Sequence, residues 1–132
     1  MVLTRVPSSS RYAPIIGFSA AARAGDLVFV AGTTAVDQAG EIVGGADPYA
    51  QAVESLRKIV AALAELGVGP EQVVCTRMYL ARARDWAEVG RAHGELFGGT
   101  ESAGGPAATM VVSGLLDPRM LVEIEAVAYA PS

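Results

Sequence analysis

The chain has 132 residues, 52% of them hydrophobic and 18% charged, with ten Lys and Arg against fourteen Asp and Glu and a formal net charge of -4. That length fits one domain spanning 1–132 and excludes a cofactor domain joined to a substrate domain. The apolar share excludes disorder, and the acidic balance excludes the basic face that a nucleic-acid partner needs.

A mean hydropathy of +0.37 is high for so small a monomer, so an oligomer is expected. The single cysteine, Cys75, has no partner for an internal disulfide, and with the single histidine, His93, it makes no zinc-ligand set. No stretch approaches the ~18 apolar residues of a membrane span, and the first residues lack the apolar run of a cleaved signal. A soluble, cytoplasmic protein with no membrane partner and no metal is the expectation.

Val2 to Val6 alternates weakly and is closed by the turn cluster Pro7 to Ser10, which reads as a short edge strand. Small residues from Gly17 to Ala22 lead to a hairpin turn at Gly25-Asp26. The run Leu27 to Ala31 follows, apolar on both faces and therefore expected to be covered on both. Asp37 to Ala46 is a polar, glycine-rich loop with a trace of strand at Ile42-Val43.

Asp47-Pro48 opens the clearest helix. An aspartate at the N-cap accepts orphan backbone N–H groups, proline loses nothing at the first position, and Val53, Leu56, Val60 and Leu63 recur at helical spacing before Gly67 and Pro70. Val73 to Leu80 is β-rich. A second helix is predicted from Asp85-Trp86-Ala87-Glu88, read as a capping box, with Trp86, Val89, Leu96 and Phe97 as its apolar stripe. Beyond the loop from Thr100 to Gly105, Ala107 to Val112 and Met120 to Tyr129 are the last strands. The order β-β-β-α-β-α-β-β implies an α+β two-layer sandwich, both helices on one side of a single sheet. Its other face is too apolar for water, so several sheets are expected to pack around an axis.

Glu123 and Glu125 stand two residues apart and share one face of the last strand. They are either a catalytic pair or members of structural ion pairs, with Arg77 on a neighbouring strand as a partner. His93 falls beside the second helix's stripe, where packing competes with a general-base role. Cys75, in an apolar strand, reads as a buried inert thiol.

Pro106-Ala107-Ala108-Thr109-Met110-Val111, then Leu121-Val122-Glu123-Ile124-Glu125-Ala126-Val127-Ala128, resemble the Rid family, the reactive intermediate deaminases also called the YjgF family. The family pattern is Pro-Ala-Arg-Ser/Thr, a spacer, and a strand reading Glu-Ile-Glu-Ala. Gly17-Phe18-Ser19, Val30-Ala31-Gly32-Thr33 and Asp85-Trp86 add to the match. The resemblance implies a chorismate-mutase-like homotrimer, its three sheets forming a central barrel with helices outside and a small-molecule cleft at each subunit interface. It also implies hydrolysis of enamines and imines such as 2-aminoacrylate without a cofactor. Carried onto this chain, the family's water-activating glutamate is Glu123, and the cleft is lined by Phe18, Ala31, Gly32, Thr33, Ala108, Thr109 and Met110.

Three positions depart from the family. Ala108 stands where the arginine would pair with a substrate carboxylate, Phe18 lacks the tyrosine hydroxyl, and Gly90 replaces an asparagine. The expected ligand is then neutral or weakly polar, and activity on 2-aminoacrylate is expected to be slow or absent. The alternative is a trimer that binds a small molecule or a partner without catalysis. A ribonuclease reading, sometimes attached to the family, fits poorly with the acidic charge.

Overall fold

In the computed structural model, residues 3–98 and 104–131 are described. The last strand of the chain sits inside the sheet. Strands β1 (Leu3–Val6), β2 (Ala21–Ala24), β3 (Leu27–Thr33), β4 (Val73–Leu80), β5 (Ala107–Val112) and β6 (Val122–Tyr129) form one sheet in the order β1-β2-β3-β6-β4-β5. Neighbours are antiparallel except β4 and β5, which are parallel and joined through a helix, as a parallel connection requires. Helices α1 (Ala13–Ile16), α2 (Pro48–Glu65) and α3 (Trp86–Phe97) complete the α+β fold.

The sequence of strands along the chain and the two long helices follow the expectation; the short α1, a single turn carrying Pro14, was not foreseen. The 25–26 turn connects β2 to β3, and Val36 and Ile42 make an isolated bridge in the loop before α2. The predicted loop from Thr100 to Gly105 lies mostly outside the described residues.

Helix α2 begins as its residues dictate. The Asp47 carboxylate accepts from the backbone N–H of Tyr49 at 3.0 Å and of Ala50 at 3.3 Å, and Gly67 at φ 72° ends the last turn. Its buried stripe is Ala52, Leu56, Ile59, Ala62 and Leu63, while Val53 is exposed. The stripe packs with Val28 and Val30 of β3 and Ile124, Ala126 and Ala128 of β6 in one core. Two predicted features of α3 are corrected. Asp85 makes no side-chain cap, because Arg82 takes both its carboxylate oxygens at 2.9 and 3.2 Å; Trp86 is 64% exposed, leaving Val89 and Ala92 as the buried positions.

Among the described residues, the opposite sheet face carries no helix. Leu27 at 42% and Phe29 at 47% exposure, with Val111 and Tyr129, form an apolar surface there, so within one chain β3 is covered on one side only. Cys75 is half-buried rather than buried.

One fully buried polar side chain ties α2 to the entry of β6. Gln51 Nε2 donates to the carbonyls of Gly45 (2.6 Å) and Arg119 (3.0 Å), and its Oε1 accepts from the Leu121 N–H at 2.9 Å. Gln51→Leu leaves these backbone groups without partners. A loss of about 1–3 kcal/mol per group stranded away from water is expected in denaturant unfolding, far above an exposed control such as Gln38→Leu.

Candidate functional site

Alternation along β6 sends Val122, Ile124, Ala126 and Ala128 into the helix-side core and Glu123, Glu125 and Val127 to the open face. Glu123 lies in register with Tyr79 of β4, and Glu125 with Arg77. The predicted sharing of a face by the two glutamates is what the strand shows. Glu125 is held by the Tyr79 hydroxyl, which donates to Oε1. Arg77 is exposed, and among the described residues the ion pairs lie elsewhere, at carboxylates such as Glu54, Asp85 and Asp117.

Glu123 is half-buried. Burial pushes its carboxyl above the usual glutamate range, the Glu125 charge adds to the rise, and among the described residues no hydrogen bond opposes it. Its carboxylate lies against the Gly32 backbone. A Cβ at Gly32 would overlap the carboxylate, with the carboxyl carbon at 2.9 Å. The approach occurs where β3 carries one extra residue between Val30 and Thr33 relative to β6, a bulge braced by Thr33 Oγ1 donating to the Ala31 carbonyl at 2.7 Å.

Gly32, Tyr79, Glu123 and Glu125, with the 113–116 turn after β5, line a cavity of about 320 Å³. The Tyr79 hydroxyl is pushed up, first by its bond to Glu125 and then by burial. A second cavity of about 450 Å³ adjoins Gly32 and takes in Phe18, Ala31 and Thr33. Lys58 belongs to it: its Nζ donates to the carbonyls of Thr34 (2.7 Å) and Val36 (2.9 Å), and burial lowers its ammonium.

The proposed site residues therefore fall into three places. Glu123 and Gly32 share the smaller cavity; Phe18, Ala31 and Thr33 line the larger; Ala108, Thr109 and Met110 lie on β5, separated from β6 by β4. Within one chain Ala108 and Thr109 are exposed, and Met110 packs against the core. Gly90 has open space around it. His93 packs: its Nε2 lies 2.8 Å from Thr76 Oγ1, its ring 4.7 Å from that of Phe97, and burial lowers its basicity. Among the described residues no group of His, Cys, Asp and Glu is arranged to hold a metal ion. Tyr79 and Ser113 were missed by sequence reasoning; the pairing of β4 with β6 puts Tyr79 beside the glutamates, and only the register reveals it.

This architecture, one mixed sheet with helices on one side, is shared by known proteins. A family model described as endoribonuclease L-PSP matches residues 8–130. An uncharacterized protein of Streptomyces coelicolor is 44% identical over 125 residues, covering 95% of this chain and 90% of its own. A RutC family protein of Pyrococcus abyssi is 35% identical over 117 residues, 88% of each chain. A solved structure from Mycobacterium tuberculosis, described as a member of the YjgF/YER057c/UK114 family, is 39% identical with a TM-score of 0.84, covering 98% of this chain and 100% of that one. The chain belongs to this endoribonuclease L-PSP (YjgF/Rid) family, in agreement with the motifs at 106–111 and 121–128. No helix among the described residues is long and apolar enough to cross a membrane.

A raised carboxyl is destabilising once ionised. Below the ordinary glutamate range folded and unfolded chains both hold the proton; as pH rises through Glu123's higher range the unfolded chain releases it first, and stability falls. Glu123→Gln removes that loss. Its melting temperature relative to the native chain is expected to rise more at pH 7 than at pH 4, measured by thermal unfolding at both.

Proposed function

We propose that the protein is a Rid-type hydrolase or deaminase acting on a small imine, enamine or related carbonyl compound, with Glu123 as the base toward water. The observation that carries this reading is the half-buried Glu123 carboxylate, free of hydrogen bonds among the described residues and facing a cavity large enough for a small metabolite. A carboxylate so placed accepts a proton from a water molecule as that water's oxygen attacks the imine carbon. The C=N electron pair moves to nitrogen. The proton held by Glu123 returns to the nitrogen, the carbinolamine then collapses with its hydroxyl proton also passing to the nitrogen as the C=O forms and the C–N bond breaks, and carbonyl compound and ammonia depart without oxidation or reduction.

The working assembly in this proposal is a homotrimer in the cytoplasm. Leu27, Phe29, Val111 and Tyr129 give the open face the apolar character of a buried interface, and packing of copies there brings β5 of one chain, with Ala108, Thr109 and Met110, to the cleft of another. Phe18, Ala31, Gly32 and Thr33 form the other wall. Light scattering is expected to give three times the chain mass, and Phe29→Asp, placing a charge in that interface, a smaller species with unchanged far-UV dichroism.

Catalysis is tested with imines and enamines generated in situ, 2-aminoacrylate included. Glu123→Gln is expected to lower kcat/KM by about 10²–10⁴-fold, the usual contribution of a positioned base. Equal rates for both proteins remove Glu123 from the mechanism. Turnover of 2-aminoacrylate is expected to be slow, since the Ala108 methyl offers no charge-assisted contact to its carboxylate.

A further inference from the structure

Among the described residues, every charged side chain lining the 320 Å³ cavity is a carboxylate. Glu123 and Glu125 point from the same face of β6, and the Tyr79 hydroxyl, opposite Glu123 in register, donates to Glu125 Oε1 and so fixes that carboxylate over the cavity. From β4 and β6 a small ligand entering here meets acceptors, the free oxygens of two carboxylates and the Tyr79 lone pairs, while the Ser113 hydroxyl in the same lining donates to the Gly114 carbonyl at 3.3 Å. Arg77 neighbours Glu125 in register yet is exposed and outside the lining. A ligand carboxylate in this space faces like charges at short range, where partial burial strengthens the repulsion; a protonated nitrogen faces opposite charges and finds acceptors for its N–H groups.

Resting on the hydrolase reading above, we propose that this cavity selects a cationic ligand without a carboxylate, namely the protonated imine of a simple aldehyde or ketone, and that Glu125, held by Tyr79, is the specificity-determining group. Glu125 receives the iminium N–H, and Glu123 serves the attacking water. The overall change is R–CH=NH2+ plus water giving R–CHO plus NH4+: the ligand is neutral only while Glu123 holds the water's proton, and the positive charge returns to the nitrogen beside Glu125 when that proton is handed back, leaving with the ammonium. Tyr79 is a positioning residue: its hydroxyl stops the Glu125 side chain from rotating out to solvent.

The test uses two imines that differ by one carboxylate, released in situ from benzylamine by an amine oxidase and from phenylglycine by an amino-acid oxidase, with the decay of each followed against its spontaneous hydrolysis. In parallel, binding of benzylammonium and of benzoate is measured by NMR chemical-shift titration. The native protein is expected to favour the carboxylate-free imine by about tenfold or more in kcat/KM and to bind benzylammonium more tightly than benzoate. Glu125→Gln keeps the shape, removes one charge, and is expected to cut that preference by at least about threefold. Tyr79→Phe is expected to raise KM for the carboxylate-free imine with little change in kcat, a split that a merely structural loss would not give.

Turnover of the two imines at equal rates, benzoate binding as tight as benzylammonium, or no benzylammonium binding overturns the assignment; if hydrolysis still depends on Glu123, the hydrolase reading stands without it. Benzylammonium binding that weakens in Glu125→Gln, with neither imine hydrolysed, has the opposite meaning: the cation site holds and the hydrolase reading fails.

Discussion

The insertion of β6 between β3 and β4 is the constraint on which the rest of the molecule depends, because this strand, the last of the chain, supplies both the centre of the core and the chemistry of the open face. A period of two separates the roles cleanly: Val122, Ile124, Ala126 and Ala128 pack under α2, while Glu123 and Glu125 face away. A slip of one residue would bury both carboxylates and expose four apolar side chains, so the apolar set locks the register of the polar one. Gln51 sets where that register begins by holding the Leu121 N–H, and packing of Ile124 beneath α2 continues it. The site is thus positioned by a strand held on both sides within the sheet.

Placing Glu123 on that strand costs solvation, and the neighbouring backbone is shaped around it. The β3 bulge and the missing side chain at Gly32 make room for the carboxylate, while the Glu125 charge disfavours a second one nearby. Tyr79 stabilises Glu125 and leaves Glu123 without a donor among the described residues. Two like groups in different surroundings can divide the work, one accepting from a proton donor and the other left as a base. Membership of the endoribonuclease L-PSP (YjgF/Rid) family accounts for the scaffold; the residues around Glu123 decide what it handles.

Much of the fold was legible because local and tertiary preferences agree. Asp47-Pro48 caps α2 as its chemistry demands, and the alternation in β6 announces a strand with two different faces. The failures have competing interactions behind them. Arg82, three residues before Asp85, offers the carboxylate a bidentate cation in place of weak orphan amides, which defeats the capping box. Helical spacing alone placed Trp86 inside, but Trp86, Ala87 and Glu88 are exposed and the buried face of α3 begins at Val89. Of the site, Glu123 and Gly32 came from the family motif and do meet in one cavity. Tyr79 depends on a pairing between strands far apart in sequence, and the division of the proposed residues between two adjoining cavities and the distant β5 depends on sheet order, which local pattern does not encode.

A direct titration of Glu123 probes the centre of this account. With carboxyl-labelled glutamate and Glu123→Gln for assignment, the NMR shift of the Glu123 carboxyl carbon is followed against pH in the native chain and in Glu125→Gln. The expected result is a midpoint above the ordinary glutamate range that moves down when the Glu125 charge is removed, since burial and that charge are its two causes. A midpoint at the ordinary glutamate value, unmoved by Glu125→Gln, would mean that Glu123 is neither desolvated nor coupled to its neighbour, and would contradict the assignment of this carboxylate as the poised base.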